Sequence, residues 1–166
     1  PFAGIWGGFW VGDGIKIIFM SQAPKAPMVI VHNLVQARAV LAVASQQNRP
    51  VLLRSPEATS AAIGPAMFVE TTKLARASYP EGFGGAIFDC STEAGLAIAA
   101  IRYGDCHVIV NTELETTEKI KKLAEAKGVK ALDKRILEDK SFAVLDLKDA
   151  KNVSSMVEDF LKNIDP

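Results

Sequence analysis

From Met28 onward, short apolar runs alternate with stretches in which apolar residues recur every three or four positions. Met28-Val29-Ile30-Val31 is apolar throughout and predicts a strand. Leu34, Ala37, Val40, Leu41 and Ala44 then follow at helical spacing, with Asn33 placed to cap the helix and Asn48-Arg49-Pro50 to stop it. The same alternation continues along the chain. Strands are predicted at Val51-Leu52-Leu53, at Ala86 to Phe88, at His107 to Val110, at Val129 to Leu132 and at Phe142 to Leu145. Helices are predicted from about Gly64 to Ser78, through Leu96, Ala99, Ala100 and Arg102 up to Gly104, from Thr117 to Lys127, and from about Ala150 to Leu161. Gly82, Gly84 and Gly85 read as a turn before the third strand.

Strands that are apolar on both faces and separated by helices imply a buried parallel sheet with right-handed crossovers. The fold class expected is α/β, a parallel sheet of about five to six strands built from βα repeats. A full eight-fold barrel typically needs about 250 residues, and this chain has 166. Two layouts remain, an open doubly wound sheet or a partial TIM-like barrel.

The first 27 residues break the pattern. They carry Phe2, Trp6, Phe9, Trp10 and Phe19 among Gly4, Gly7, Gly8, Gly12 and Gly14, and end in a proline-rich stretch, Gln22 to Pro27. Asp13 and Lys16 interrupt any membrane span, and the basic leader of a signal peptide is missing. Residues 1–27 are expected to form a peripheral arm and linker, and residues 28–166 a single α/β domain. If ordered, the exposed aromatics make the arm a candidate contact between subunits of a homo-oligomer.

Charge excludes some partners. Nineteen basic residues balance nineteen acidic ones, so neither a nucleic acid nor an anionic membrane surface is an expected partner. The two cysteines, Cys90 and Cys106, abut apolar runs. They read as buried, reduced thiols of a cytoplasmic protein. No Walker or dinucleotide fingerprint is present.

In a parallel sheet the strand C-termini share one rim, where sites are built. The rim here should carry His32 and Asn33, Arg54 and Ser55, Asp89, Cys90 and Ser91, Asn111 and Thr112, Asp133 and Lys134, and Asp146. Arg54 is suited to pair with Asp89 or to fork onto a carboxylate or phosphate. His32 is a candidate general base or metal ligand. Each residue also has a plainer use, since helix starts need Asn, Ser, Thr and Asp as caps.

His32 to Leu41, continued through Asn48 to Ser55, is similar to the first βα units of the class II, metal-dependent ketose-bisphosphate aldolases. Ile63-Gly64-Pro65-Ala66-Met67-Phe68 resembles that family's next helix entry, and Ala86 to Ser91 with Ala97 to Gly104 resembles its third strand and helix. The resemblance covers Met28 to Asn111, about half of the chain, and otherwise the sequence is like small bacterial proteins with no assigned activity. It implies that Asp89 stands where the family has a catalytic acid/base, and that Asn33 and Ser55 lie near the substrate. The family's zinc-holding histidine is replaced by Cys90 and the following glycine by Ser91. With only His32 and His107 in the chain, three-ligand zinc is hard to assemble, and Cys90 is the remaining metal candidate.

The expectation is thus a small-molecule binding protein with no cofactor, or zinc on Cys90 as the one metal option. Its aldolase-like scaffold is expected to have lost aldolase activity. His32, Asn33, Arg54, Ser55, Ser91 and Asn111 would contact a polar or phosphorylated metabolite beside Asp89. The alternatives are a metal-assisted lyase or isomerase using Asp89 and Cys90, and a structural or regulatory homo-oligomer.

Overall fold

A computed structural model describes residues 26–58, 63–137 and 142–164. The expected aromatic arm therefore lies outside the described residues, apart from its last two positions, Ala26 and Pro27, which open the first strand.

Six strands, β1 (Ala26–Ile30), β2 (Val51–Arg54), β3 (Phe83–Asp89), β4 (His107–Val110), β5 (Ala131–Asp133) and β6 (Phe142–Asp146), form one sheet in the order β5-β4-β3-β2-β1-β6. Every neighbouring pair is parallel. The helices are α1 (Leu34–Gln46), α2 (Pro65–Ser78), α3 (Ala94–Tyr103), α4 (Leu114–Ala126), the four-residue α5 (Lys134–Leu137) and α6 (Val153–Lys162). Asn33 caps α1 as its position predicts, accepting the Gln36 N–H, and Asn152 does the same for α6.

The two faces of the sheet differ. Val29, Val31, Leu53, Phe88, Val108 and Val110 pack with the buried faces of α1, α2, α3, α4 and α6 in one large core. Met28, Leu52, Ile87, Ile109, Leu132 and Phe142 form a second cluster to which none of the described helices contributes. Period-2 alternation sends adjacent strand residues to opposite faces, so the two clusters are the two sides of one sheet. Helices on both faces would have made the doubly wound layout. The five longer helices described instead all pack on one face.

Lys134, beyond β5, makes an ion pair with Glu57, beyond β2, across two intervening strands.

The glycine-rich stretch is a correction to the sequence reading. Gly84 and Gly85 are not a turn; they lie inside β3. The pairing with β2 shifts register between Val51 and Leu52, and Gly85 adopts φ 143°, which side chains disfavour. A Cβ on Gly84 would stand 3.0 Å from the Val51 carbonyl oxygen. Glycine here is what lets the bulged strand approach its neighbour. Two smaller differences are that β5 begins at Ala131 rather than Val129, and that α4 begins three residues early, at Leu114.

Candidate functional site

On the face opposite the described helices, the alternation that buries Leu52 places Arg54 at the C-terminal end of β2. The same alternation in β3 turns Asp89 inward beyond Ile87. Register places Arg54 opposite Ile87, so the long arginine reaches one level up to the carboxylate. Its Nη2 makes an ion pair with Asp89 Oδ2. The Asp89 side chain is wholly buried and that of Arg54 is 13% exposed.

Asp89 is held from several directions. Its Oδ1 accepts the Ser91 N–H at 2.9 Å. Its own N–H donates to Ser55 Oγ at 2.9 Å, and that hydroxyl donates to the Pro56 carbonyl at 2.9 Å. Its carbonyl accepts the Ala58 N–H at 2.9 Å. Ser91 takes a left-handed conformation, φ 49°, to close this turn. A carboxylate so fixed is an anchor for the guanidinium. Arg54 Nε, by contrast, is buried with no hydrogen-bond partner among the described residues. Leaving such a donor unmet costs about 1–3 kcal/mol, so it marks a place where an acceptor belongs.

A second pair stands on the other side of Ile30. Ile30 is in register with Arg54 on β2 and with Asp146 on β6. His32, just beyond β1, places Nε2 2.7 Å from Asp146 Oδ1, and the same oxygen accepts the Lys148 N–H at 2.9 Å. Gln36 fixes the loop: its Oε1 accepts the His32 N–H at 2.8 Å and its Nε2 donates to the Leu147 carbonyl at 2.9 Å. The pair is open to solvent, His32 26% and Asp146 50% exposed.

The other sequence-derived candidates divide by geometry. Asn111 is exposed at the end of β4, its N–H bonded to the Ser91 carbonyl at 2.8 Å, so it stands beside the Asp89 turn. Ser55 and Ser91 are buried and serve Asp89. Asn33 is spent on capping α1. Asp133 is tied to Arg135, which holds its carboxyl below the usual range, and Thr112 bonds Thr117.

Cys90 points away from the site. It follows Asp89 in an extended chain and its thiol belongs to the helix-side core, with Sγ 3.7 Å from the Phe88 carbonyl. Burial pushes that thiol well above its ordinary range, and the charge of Asp89 adds to the shift. His107 opens β4, at the opposite end from His32. Its Nδ1 accepts the Lys130 N–H at 3.0 Å, and burial, aided by Lys130, lowers its pKa. No group of three or more His, Cys, Asp and Glu suited to a metal occurs among the described residues. The described residues therefore do not fit the zinc of the aldolase resemblance: one thiol is on the wrong face and the two histidines are at opposite ends.

Sequence reasoning missed two couplings, His32 with Asp146 and Lys134 with Glu57. Their partners are 114 and 77 residues apart, and no local pattern signals them.

No family model matches this sequence, and no curated protein does. Among solved structures, the fold is similar to a crystal structure from Coccidioides immitis of a protein provisionally assigned as a fructose-1,6-biphosphate aldolase. The TM-score is 0.55 and the identity 14%, over 66% of this chain and 41% of that one. The likeness is one of fold, and the chain spans about two fifths of that protein's length. Among the described residues, no helix is long and apolar enough to cross a membrane.

Proposed function

We propose that the chain binds a small polar or phosphorylated metabolite at the C-terminal rim of its sheet, on an aldolase-like scaffold without aldolase chemistry. The observation that carries this reading is Arg54. Its guanidinium is anchored by a buried carboxylate, while among the described residues Nε lacks an acceptor. A phosphate or carboxylate oxygen supplies that acceptor, and charge-assisted bonds of this kind are the strong ones. Asn111 offers a further exposed amide beside the same turn. Ser55, Ser91 and Asn33 have structural duties in this reading and do not contact the ligand.

The lyase or isomerase reading built on Asp89 and Cys90 has less support. Both Asp89 oxygens are engaged, and Cys90 lies on the other face. The oligomer reading rests on residues outside those described.

The test is a calorimetric screen of small hydroxylated, carboxylated and phosphorylated compounds, repeated with Arg54→Lys and Arg54→Met after circular dichroism confirms folding. Loss of a charged hydrogen bond, about 1.5–3 kcal/mol, should weaken binding of a hit roughly 10- to 100-fold. Unchanged affinity in both variants would sink the proposal.

A further inference from the structure

The sheet face opposite the described helices opens toward solvent at one corner. Leu52, Met28 and Val144 stand in register across β2, β1 and β6. In-register residues of parallel strands point to the same face, so Val144 belongs to the face that carries Met28 and Leu52. Along that row exposure runs from 7% at Leu52 through 1% at Met28 to 47% at Val144. The other exposed large apolar side chains among the described residues stand on helices or, as Tyr79, at a helix end. Val144 is thus an apolar position of the sheet itself that the described helices do not cover.

The chain enters the sheet at this corner. Ala26 opens β1 in register with Phe142, two residues before Val144 on β6. From Ala26, Val144 is two residues along and one strand across, about 8 Å. The six residues between Phe19 and Ala26 allow a reach of at most about 25 Å, so Phe19 and what precedes it can fold back over the corner. That segment carries Phe2, Trp6, Phe9, Trp10 and Phe19, and up to Phe19 its only charged side chains are Asp13 and Lys16. Buried aromatic side chains remove about 150–250 Å² each from water, more in sum than a soluble surface normally leaves exposed in one patch. The helix-side core already has its cover in α1 to α4 and α6.

We propose that residues 1–25 fold back onto this corner of their own sheet, packing aromatic side chains from the Phe2 to Phe19 segment against Phe142 and over Val144. The tether favours this occupant over a second copy, because a short linker holds the segment at an effective concentration of about millimolar. Packed there, it shields the row directly beneath Arg54, Ile30 and Asp146, which are themselves in register. The proposal does not depend on metabolite binding at the rim.

Trp6 and Trp10 are the chain's two tryptophans, so intrinsic fluorescence of the full chain reports the segment directly. Emission should be blue-shifted from that in urea and resist acrylamide, at dilutions where native mass spectrometry shows a monomer. Val144→Asp places a charge on the apolar corner. With circular dichroism unchanged, it should shift emission to the red and raise the acrylamide quenching constant several-fold. Leu114→Asp, at an exposed apolar position on α4, should leave both as in wild type. Water-exposed tryptophans in wild type, indifference to Val144→Asp, or an equal response to Leu114→Asp overturns the proposal. Burial that vanishes on dilution to monomer assigns the segment to a second copy and overturns it as well. If Val144→Asp fails to fold, a nitroxide on Val144→Cys should broaden the tryptophan indole N–H signals, and sharp indole signals there would count against the proposal in the same way.

Discussion

Ser55 Oγ accepts the backbone N–H of Asp89 at 2.9 Å, so a hydroxyl at the end of β2 sets the height of the carboxylate at the end of β3. The same hydroxyl donates to the Pro56 carbonyl and is wholly buried. Ser55→Ala leaves a buried N–H and a carbonyl short of a partner. We expect a loss of about 1–3 kcal/mol, read as a lower urea midpoint at unchanged slope.

The ion pair that Asp89 makes with Arg54 predicts a strong non-additivity. Both side chains are largely out of solvent. Arg54→Met or Asp89→Leu alone strands a charge and should cost about 3–5 kcal/mol. The double variant removes both charges at similar volume and should recover most of that loss. A double-mutant cycle by chemical denaturation measures it. Additive losses would mean that the pair is not coupled as described.

His107 predicts the response to acid. Burial, with Lys130 adding to it, lowers its folded pKa below the ordinary 6.5. The unfolded chain therefore takes up the proton at a higher pH than the folded one. Above about pH 6.5 the residue contributes no pH dependence, and stability falls as pH drops from there through the folded pKa. Thermal melts between pH 7.5 and 5.5 should show this slope reduced in His107→Gln. An equal slope in the variant would place the acid sensitivity elsewhere.

Both thiols should be silent in the native protein. Burial, aided by Asp105, pushes Cys106 up to about 12, and Cys90 shifts in the same direction. Thiolate is the reactive form. Iodoacetamide at pH 8 should label neither cysteine in the folded protein and both in denaturant, counted by intact mass. Rapid native labelling at Cys90 would contradict its place in the helix-side core.

Two glycines should respond oppositely to alanine. A Cβ on Gly82 would lie 2.2 Å from the Leu41 carbonyl oxygen, where a helix backbone cannot yield cheaply. Gly82→Ala should cost at least about 3 kcal/mol. Gly95, in the first turn of α3, has nothing within 4 Å of its Cβ position. Gly95→Ala should stabilise by roughly 0.5–1 kcal/mol, and denaturation midpoints distinguish the two.

The order of strands and helices was legible in the chain because apolar spacing is a local property. His107–Val110 can be read directly, as can the Asn33 cap of α1. Rim membership followed as well, since a parallel sheet gathers its strand ends by topology alone. Arg54 beside Asp89 was within reach for the same reason, because β2 and β3 are consecutive neighbours. What the sequence could not supply is whatever depends on how distant segments pack together. Glycines in a row look like a turn until a bulged strand is seen to need them. Helices could have covered both faces until packing put them on one. Asp89 and Cys90 look like one chemical unit, but an extended backbone sends them to opposite sides of the sheet. His32 meets Asp146 only because the last strand returns beside the first, a contact set by long-range strand pairing. Local spacing thus determined which residues stand on the rim, and the tertiary structure decided which of them touch.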